Sequence, residues 1–304
     1  MKLLCTDLDR TLLPNGEQDE SAHARPILWH LLSVHSIALA YVSGRDLRLV
    51  LDAISEHQLP TPDVIVADVG ASIYTQFEGV WRKNAEWELR LDNEWQGRHS
   101  ADVHNALSSI FEMRQQESSR QSRFKQSYYY SESLDDAVLS NVVEAKLARH
   151  GLYSSLVFSH DPVKNTGLLD IVPLSANKRD AIVFVSKLLK IDNHDVLFSG
   201  DSGNDVQAIC ALTPSVLVAN ADAQTSSEVV KLCQLTEISA CTYLAKGDLE
   251  VAGQQPLNGN YAAGIVEGIM HFRPHWRDDL GNAHWVEQAM TTELEQGRVL
   301  RFAG

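Results

Sequence analysis

The sequence predicts an α/β protein: a doubly wound, Rossmann-like parallel-sheet core that carries an inserted α/β domain. Three observations predict it. Short apolar runs alternate with helical patterns from the first residue onward, the rhythm of right-handed strand-helix-strand units with helices on both sheet faces. That rhythm breaks near Trp81 and resumes near Ala176. Carboxylates stand at the ends of the apolar runs, where open α/β sheets place their chemistry.

The first run reads L-L-C-T-D-L-D-R-T-L-L over residues 3–13, so residues 1–6 are a buried strand and Asp7 the first residue off its end. Residues 14–19 are polar and turn-rich, and residues 21–34 carry Ile27, Leu28, Leu31 and Leu32 at helical spacing. A second strand over 37–42 ends at Ser43-Gly44-Arg45 and leads into a helix over 47–54. A third strand lies within 63–70, with a small hairpin after Gly70-Ala-Ser-Ile-Tyr74.

From residue 81 the texture changes. Residues 84–123 are rich in Glu, Arg, Gln and Ser and read as helices with a narrow apolar stripe. Strands over 124–130 and 152–159 flank a helix over 135–150, and Pro173 marks the return. The expected division is therefore a core of residues 1–80 and 174–304 around an inserted domain of residues 81–173. Ala176-Asn177-Lys178-Arg179 opens the next helix, and a strand over 195–199 ends in Gly200-Asp201-Ser202-Gly203-Asn204-Asp205. A helix over 206–212, a strand over 216–219, an apolar helix over 261–272 and a tail with a helix over 285–294 complete the expected plan.

With 304 residues, 44% hydrophobic and 22% charged, the chain is long enough for two domains at about 150 residues each. A net charge of -14 without a basic stripe argues against nucleic acid or a membrane surface as partner. Cys5, Cys210, Cys233 and Cys241 lack C-x-x-C spacing and read as free thiols, which suits a reducing cytoplasm. No run of about 18 apolar residues appears, so the expectation is a soluble, cytoplasmic protein. Among 12 histidines only His271 and His275 are four apart, and Pro274 between them breaks the helix that a zinc pair needs.

Asp7 and Asp9 lie two apart at a strand-to-loop transition, where both can converge on one ligand. A single D-x-D of this kind is commonly a solvated turn. Such a pair can also divide labour: Asp7 attacks phosphorus to form an aspartyl-phosphate, and Asp9 protonates the leaving alcohol and then takes a proton from water. Close carboxylates repel each other and an incoming phosphate, which calls for a hard divalent cation with oxygen ligands. Asp201 and Asp205 supply further oxygens, and Asn204 can orient a carboxylate. Ser43 offers a hydroxyl and neighbouring N–H groups at a helix start, and Lys178 offers a point charge at another.

In that order, D-L-D-R-T, V-S-G-R, A-N-K-R-D and G-D-S-G-N-D resemble the four motifs of the haloacid dehalogenase-like phosphohydrolase superfamily. The long insert between the second and third motifs is similar to the α/β-capped (type IIB) subgroup, and the chain most resembles the sucrose-phosphate phosphatases. Phe124-Lys-Gln-Ser-Tyr128 and Ala262-Ala-Gly-Ile-Val-Glu-Gly268 add to that likeness. The resemblance implies Asp7 as nucleophile, Asp9 as acid/base, Ser43 and Lys178 as phosphate ligands, and Mg2+ held by Asp7, Asp9, Asp201 and Asp205. Thr11, Gly44, Arg45, Lys125 and Asn204 complete the candidate substrate-binding set. The activity it implies is hydrolysis of a sugar phosphate, sucrose 6-phosphate foremost, with mannosylfructose phosphate and glucosylglycerol phosphate as alternatives. A phosphomutase is a rival reaction. A catalytically idle sugar-phosphate sensor, or a glycosyltransferase partner, is the reading from a different class. Arg10 departs from the small or amide residue usual before this Thr, and Ser159-His-Asp-Pro-Val-Lys-Asn-Thr166 departs from the short cap segment of the subgroup.

Overall fold

The computed structural model describes residues 1–131, 133–161, 165–211, 213–236, 239–251 and 255–280. In chain order the elements are β1 (Leu3–Thr6), α1 (Ala24–Val34), β2 (Ala38–Val42), α2 (Leu47–Glu56), β3 (Val64–Ala67), β4 (Ser72–Phe77) and β5 (Val80–Lys83). Then come α3 (Ala85–Glu94), α4 (Ser100–Leu107), β6 (Met113–Gln115), β7 (Gln126–Tyr130), α5 (Asp136–Arg149), β8 (Ser154–Asp161) and β9 (Thr166–Pro173). The chain continues through α6 (Lys178–Leu188), β10 (Val196–Gly200), α7 (Val206–Ile209), β11 (Ser215–Leu217), α8 (Ala223–Leu235), β12 (Thr242–Leu244) and α9 (Ala262–Phe272).

Two sheets result. The larger has the order β12-β11-β10-β1-β2-β3-β4-β5, parallel from β12 to β3, with β4 and β5 added as an antiparallel hairpin. The chain winds from β1 toward β5 and later returns to β1's other side with β10. The winding direction therefore reverses between β1 and β10, the place where such sheets open a crevice at their carboxyl edge. Leu3 and Cys5 face one layer, packed with Ala181, Ile182 and Val185 of α6, while Leu4 faces the other, with α1 and α9. Burial on both faces explains why β1 is a continuous apolar run. On α1, Ile27, Leu28, Leu31 and Leu32 are fully buried, each contributing about 2 kcal/mol of hydrophobic stabilisation. Helix α9 is buried from Ala262 through Met270, apolar all round but for Glu267, which accepts from the Tyr243 hydroxyl and the N–H groups of Lys246 and Gly247.

The smaller sheet is antiparallel, order β6-β7-β9-β8. Side chains alternate across it. Tyr128, Tyr130, Leu169 and Ile171 pack with Leu139, Val143 and Leu147 of α5, so the opposite face carries Ser127 and Asp170.

Several elements differ from the sequence expectation. The stretch expected to be purely helical ends in β6, three residues at a sheet edge, too short to show a period. Strands β9 and β12 and helix α8 have no counterpart in the expected plan. The helix expected over 206–212 is a 3-10 turn at Gly203–Asp205 followed by the single turn of α7. The tail folds back at Pro274–Leu280, where Trp276 stacks on His35 with ring centroids 3.6 Å apart. The helix expected over 285–294 lies outside the described residues. All four cysteines are free. No helix among the described residues is long and apolar enough to cross a membrane.

Candidate active site

Three neighbouring strands deliver the candidate groups to one edge. Asp7 leaves β1, Ser43 leaves β2 and Asp201 leaves β10, and the register Thr6↔Ser199 sets the two carboxylate turns side by side. The Asp7 N–H donates to Ser199 O at 3.0 Å, which locks that pairing one residue beyond the strand.

Asp7 is 5% exposed; its Oδ1 accepts from the Leu8 N–H at 2.8 Å and its Oδ2 lies 3.0 Å from Lys178 Nζ. Lys178 is the first residue of α6, whose N-cap Asn177 accepts from the Asp180 N–H. Its ammonium also donates to Asp205 Oδ1 at 2.7 Å. The other Asp205 oxygen accepts from the N–H groups of Asp201 and Ser202 and from the Ser202 hydroxyl. Room for this carboxylate exists only because residue 200 is glycine: a Cβ there would sit 2.5 Å from Asp205 Cγ. Asp201 accepts from the Thr11 hydroxyl at 3.0 Å and faces Arg10 Nε at 3.6 Å.

Oxygens of Asp7, Asp201 and Asp205 lie within 4.8 Å of one another, the single such grouping of His, Cys or acidic side chains found among the described residues. Burial raises the Asp7 carboxyl well above its ordinary range; Lys178 opposes the shift, and Asp205 and Asp201 add to it. Burial and Asp205 likewise lift Asp201 to about 6, against Thr11, Lys178 and Arg10. Burial alone would lower Lys178, yet Asp205 and Asp7 outweigh it and hold the ammonium above its usual value. One buried cation among three carboxylates leaves an excess of negative charge, and an all-oxygen donor set of this kind fits a hard divalent ion.

Asp9 points elsewhere. Arg45 grips it with two hydrogen bonds, Nε to Oδ2 at 2.8 Å and Nη2 to Oδ1 at 2.6 Å, and Asn15 adds a third at 2.6 Å. Burial pushes its carboxyl up, but Arg45 and Asn15 prevail and hold it below the usual carboxylate range. Its side chain is outside the carboxylate grouping and 42% exposed, at the mouth of the site.

The remaining candidates are dispersed. Ser43 is buried and its Oγ accepts from the Arg45 N–H, but it does not begin α2: Asp46 is the N-cap there. A carboxylate directly before Leu47 accepts from the Leu49 N–H better placed than a hydroxyl four residues ahead. Gly44 is exposed with nothing near the position of a Cβ. Thr11 is committed to Asp201, and Asn204 accepts from the Ser202 hydroxyl instead of orienting a carboxylate. Lys125 is 5% exposed, 3.4 Å from Asp68 Oδ1 and 3.9 Å from Asp170 Oδ2.

Two groups escaped the sequence reading. Asn220 joins the loop after β1 to α9, donating to Arg10 O at 2.6 Å and accepting from the Tyr261 N–H at 2.8 Å. Asp68 starts a turn, Asp68–Gly70, whose three residues all have positive φ: 54°, 60° and 104°. For the β-branched Val69 this costs about 1–3 kcal/mol. Gly70 has no alternative, since a Cβ would meet Asn177 backbone atoms at 2.7–2.8 Å. A lone Asp before Val-Gly carries no sequence signal for this; only the strain and burial reveal it.

Against known proteins, the family model described as sucrose-6F-phosphate phosphohydrolase matches residues 1–273. A protein of Nitrosococcus oceani described as a HAD-like hydrolase is 40% identical over 294 residues, 97% of this chain and 76% of its own. The mannosylfructose-phosphate phosphatase of Agrobacterium fabrum is 30% identical over 210 residues, 67% of this chain and 77% of its own. Among solved structures, the sucrose-phosphatase of Synechocystis in complex with sucrose and phosphate superposes with a TM-score of 0.70 at 23% identity, covering 90% of this chain and 98% of that one.

Proposed function

From the premise that this chain belongs to the sucrose-6F-phosphate phosphohydrolase family of haloacid dehalogenase-like hydrolases, and so is a sugar-phosphate phosphatase, we propose that its substrate is sucrose 6-phosphate. The observation that carries the reading is the buried Asp7, presented at a strand end with Lys178 3.0 Å away and two further carboxylates beside it.

Asp7 Oδ attacks phosphorus, the P–O bond to the sugar breaks, and the aspartyl-phosphate forms. Lys178 steadies the attacking carboxylate and the phosphoryl oxygens, with the Ser43 hydroxyl on the neighbouring loop as a further donor. Asp9, at the mouth and ionised while Arg45 holds it, first takes up a proton from solvent, gives that proton to the departing sugar oxygen and then takes one from the water that splits the aspartyl-phosphate, yielding inorganic phosphate. For this Asp9 must leave Arg45. An entering phosphate offers Arg45 a competing anion, which frees Asp9 and makes Arg45 a substrate contact. Asp7, Asp201 and Asp205 would hold Mg2+, which when bound neutralises charge on the carboxylates and the phosphoryl group. Lys125 and Asp170, on the face of the smaller sheet opposite α5, contact sugar hydroxyls. The sucrose and phosphate bound in the Synechocystis relative and the disaccharide substrate named for the Agrobacterium relative support a phosphorylated disaccharide.

Phosphate release is measured with Mg2+ across sucrose 6-phosphate, mannosylfructose phosphate, glucosylglycerol phosphate and glucose 6-phosphate. The highest kcat/KM falls on sucrose 6-phosphate, with free sucrose and inorganic phosphate as products. Higher efficiency on another disaccharide phosphate overturns the sucrose assignment, and a phosphorylated sugar product in place of phosphate overturns hydrolysis.

A further inference from the structure

Asp68 is a carboxylate only 4% exposed, outside the Asp7 cluster, at the end of β3. Its Oδ2 accepts from the Ser72 hydroxyl at 2.9 Å, and its Oδ1 lies 3.4 Å from the ammonium of Lys125, the residue before β7 of the other sheet. On that sheet Asp170 faces the same ammonium at 3.9 Å and accepts from the Ser127 hydroxyl. One cation thus bridges a carboxylate of the large sheet and a carboxylate of the small one. The cluster keeps a net negative charge and a hydroxyl, a set suited to sugar hydroxyls and unsuited to a second phosphate.

The backbone around Asp68 is tied to every loop that carries a candidate phosphate group. Its N–H donates to Arg45 O at 2.9 Å, and the Val69 N–H donates to Ser43 O at 3.2 Å. Gly70 lies against Asn177, the residue before Lys178, and its carbonyl accepts from Trp87 Nε1 of α3 at 3.0 Å. A strained turn so heavily held has its side-chain direction set by the surroundings.

We propose that Asp68 is a positioning residue for the sugar portion of the substrate: it holds Lys125 where the two sheets meet and in register with the loops of Ser43 and Lys178. This rests on the sugar-phosphatase reading above. It makes Asp68, which touches none of the reacting atoms, a determinant of which sugar is accepted.

The test compares Asp68→Asn, Lys125→Gln and the double variant on sucrose 6-phosphate and on p-nitrophenyl phosphate, which has the ester but no sugar hydroxyls. Asparagine tolerates positive φ and keeps a partner for Ser72, so the turn is retained; thermal midpoints check this. Asp68→Asn is expected to lower kcat/KM for sucrose 6-phosphate about tenfold or more, chiefly through KM, with a smaller loss on p-nitrophenyl phosphate. The double variant is expected to lose no more than the worse single one, because both remove the same contact. Equal losses on the two esters, or losses that add in the double variant, overturn the proposal while an active wild type leaves the sugar-phosphatase reading standing. A wild type that cleaves p-nitrophenyl phosphate but no sugar phosphate overturns both.

Discussion

Replacing Lys178 by methionine tests the electrostatics on which the whole site depends. The ammonium is buried, 3.0 Å from Asp7 and 2.7 Å from Asp205, and methionine matches its length without its charge. Removing the cation strands buried carboxylates, a loss of about 3–5 kcal/mol against a typical total stability of about 5–15. For a chain of 304 residues that lowers Tm by roughly 5–8 °C. Because the folded pKa of Lys178 is raised, its contribution persists through the neutral range and fades only above the ordinary lysine value of 10.5. The variant has one escape, protonation of Asp7, whose pKa is already raised, so the loss is smaller at pH 5 than at pH 8. Differential scanning calorimetry in chelator at both pH values measures this. Mg2+ then restores part of the missing positive charge, and its increment in Tm is larger in the variant than in the wild type. A variant Tm within about 1.5 °C of wild type at pH 8 in chelator, about 1 kcal/mol or less, refutes the argument that Lys178 neutralises this cluster.

Asp7→Asn lowers turnover at least about a thousandfold while the fold is kept; purified variant with appreciable phosphate release refutes Asp7 as nucleophile. Gly70→Ala forces a Cβ to 2.7–2.8 Å from Asn177 at φ +104°, destabilising by about 2–4 kcal/mol in a denaturant melt, and it lowers kcat as well because Lys178 follows Asn177. An unchanged midpoint contradicts the close approach. Asp7 and Asp201 have folded pKa values raised above 3.8, so in chelator the folded chain holds protons that the unfolded chain releases. Their stabilisation is therefore full below about pH 4 and lost as pH rises through the folded values, about 6 for Asp201. Mg2+ accordingly raises Tm more at pH 7.5 than at pH 5, and equal increments at the two pH values count against the acidic cluster as its site.

Much of the architecture was readable along the chain because each signal was local. A continuous apolar run marks a strand buried on both faces, and β1, β2, β3 and β10 all carry one before a polar turn. Helix α1 announces itself by four buried residues at helical spacing. The elements missed are those without a long apolar run: β6 has three residues, and in β9 Gly167 and Asp170 interrupt the apolar residues.

The sequence by itself determined that carboxylates, a serine and a lysine stand at strand ends and helix starts, since those positions follow from apolar runs and the polar turns that end them. Which of them meet was decided by the tertiary structure. Asp7 reaches Asp201 and Asp205 only because β1 pairs with β10 in one register, a contact between residues almost 200 positions apart that no local pattern encodes. Asp9, two residues from Asp7, turns away to Arg45, and Thr11 turns to Asp201. Asp68, with no motif around it, becomes the buried link between the sheets. A side chain's residue type sets what it can bond, but its partner is set by which backbone the sheet order brings within about 3 Å, and charge and burial then act on that geometry.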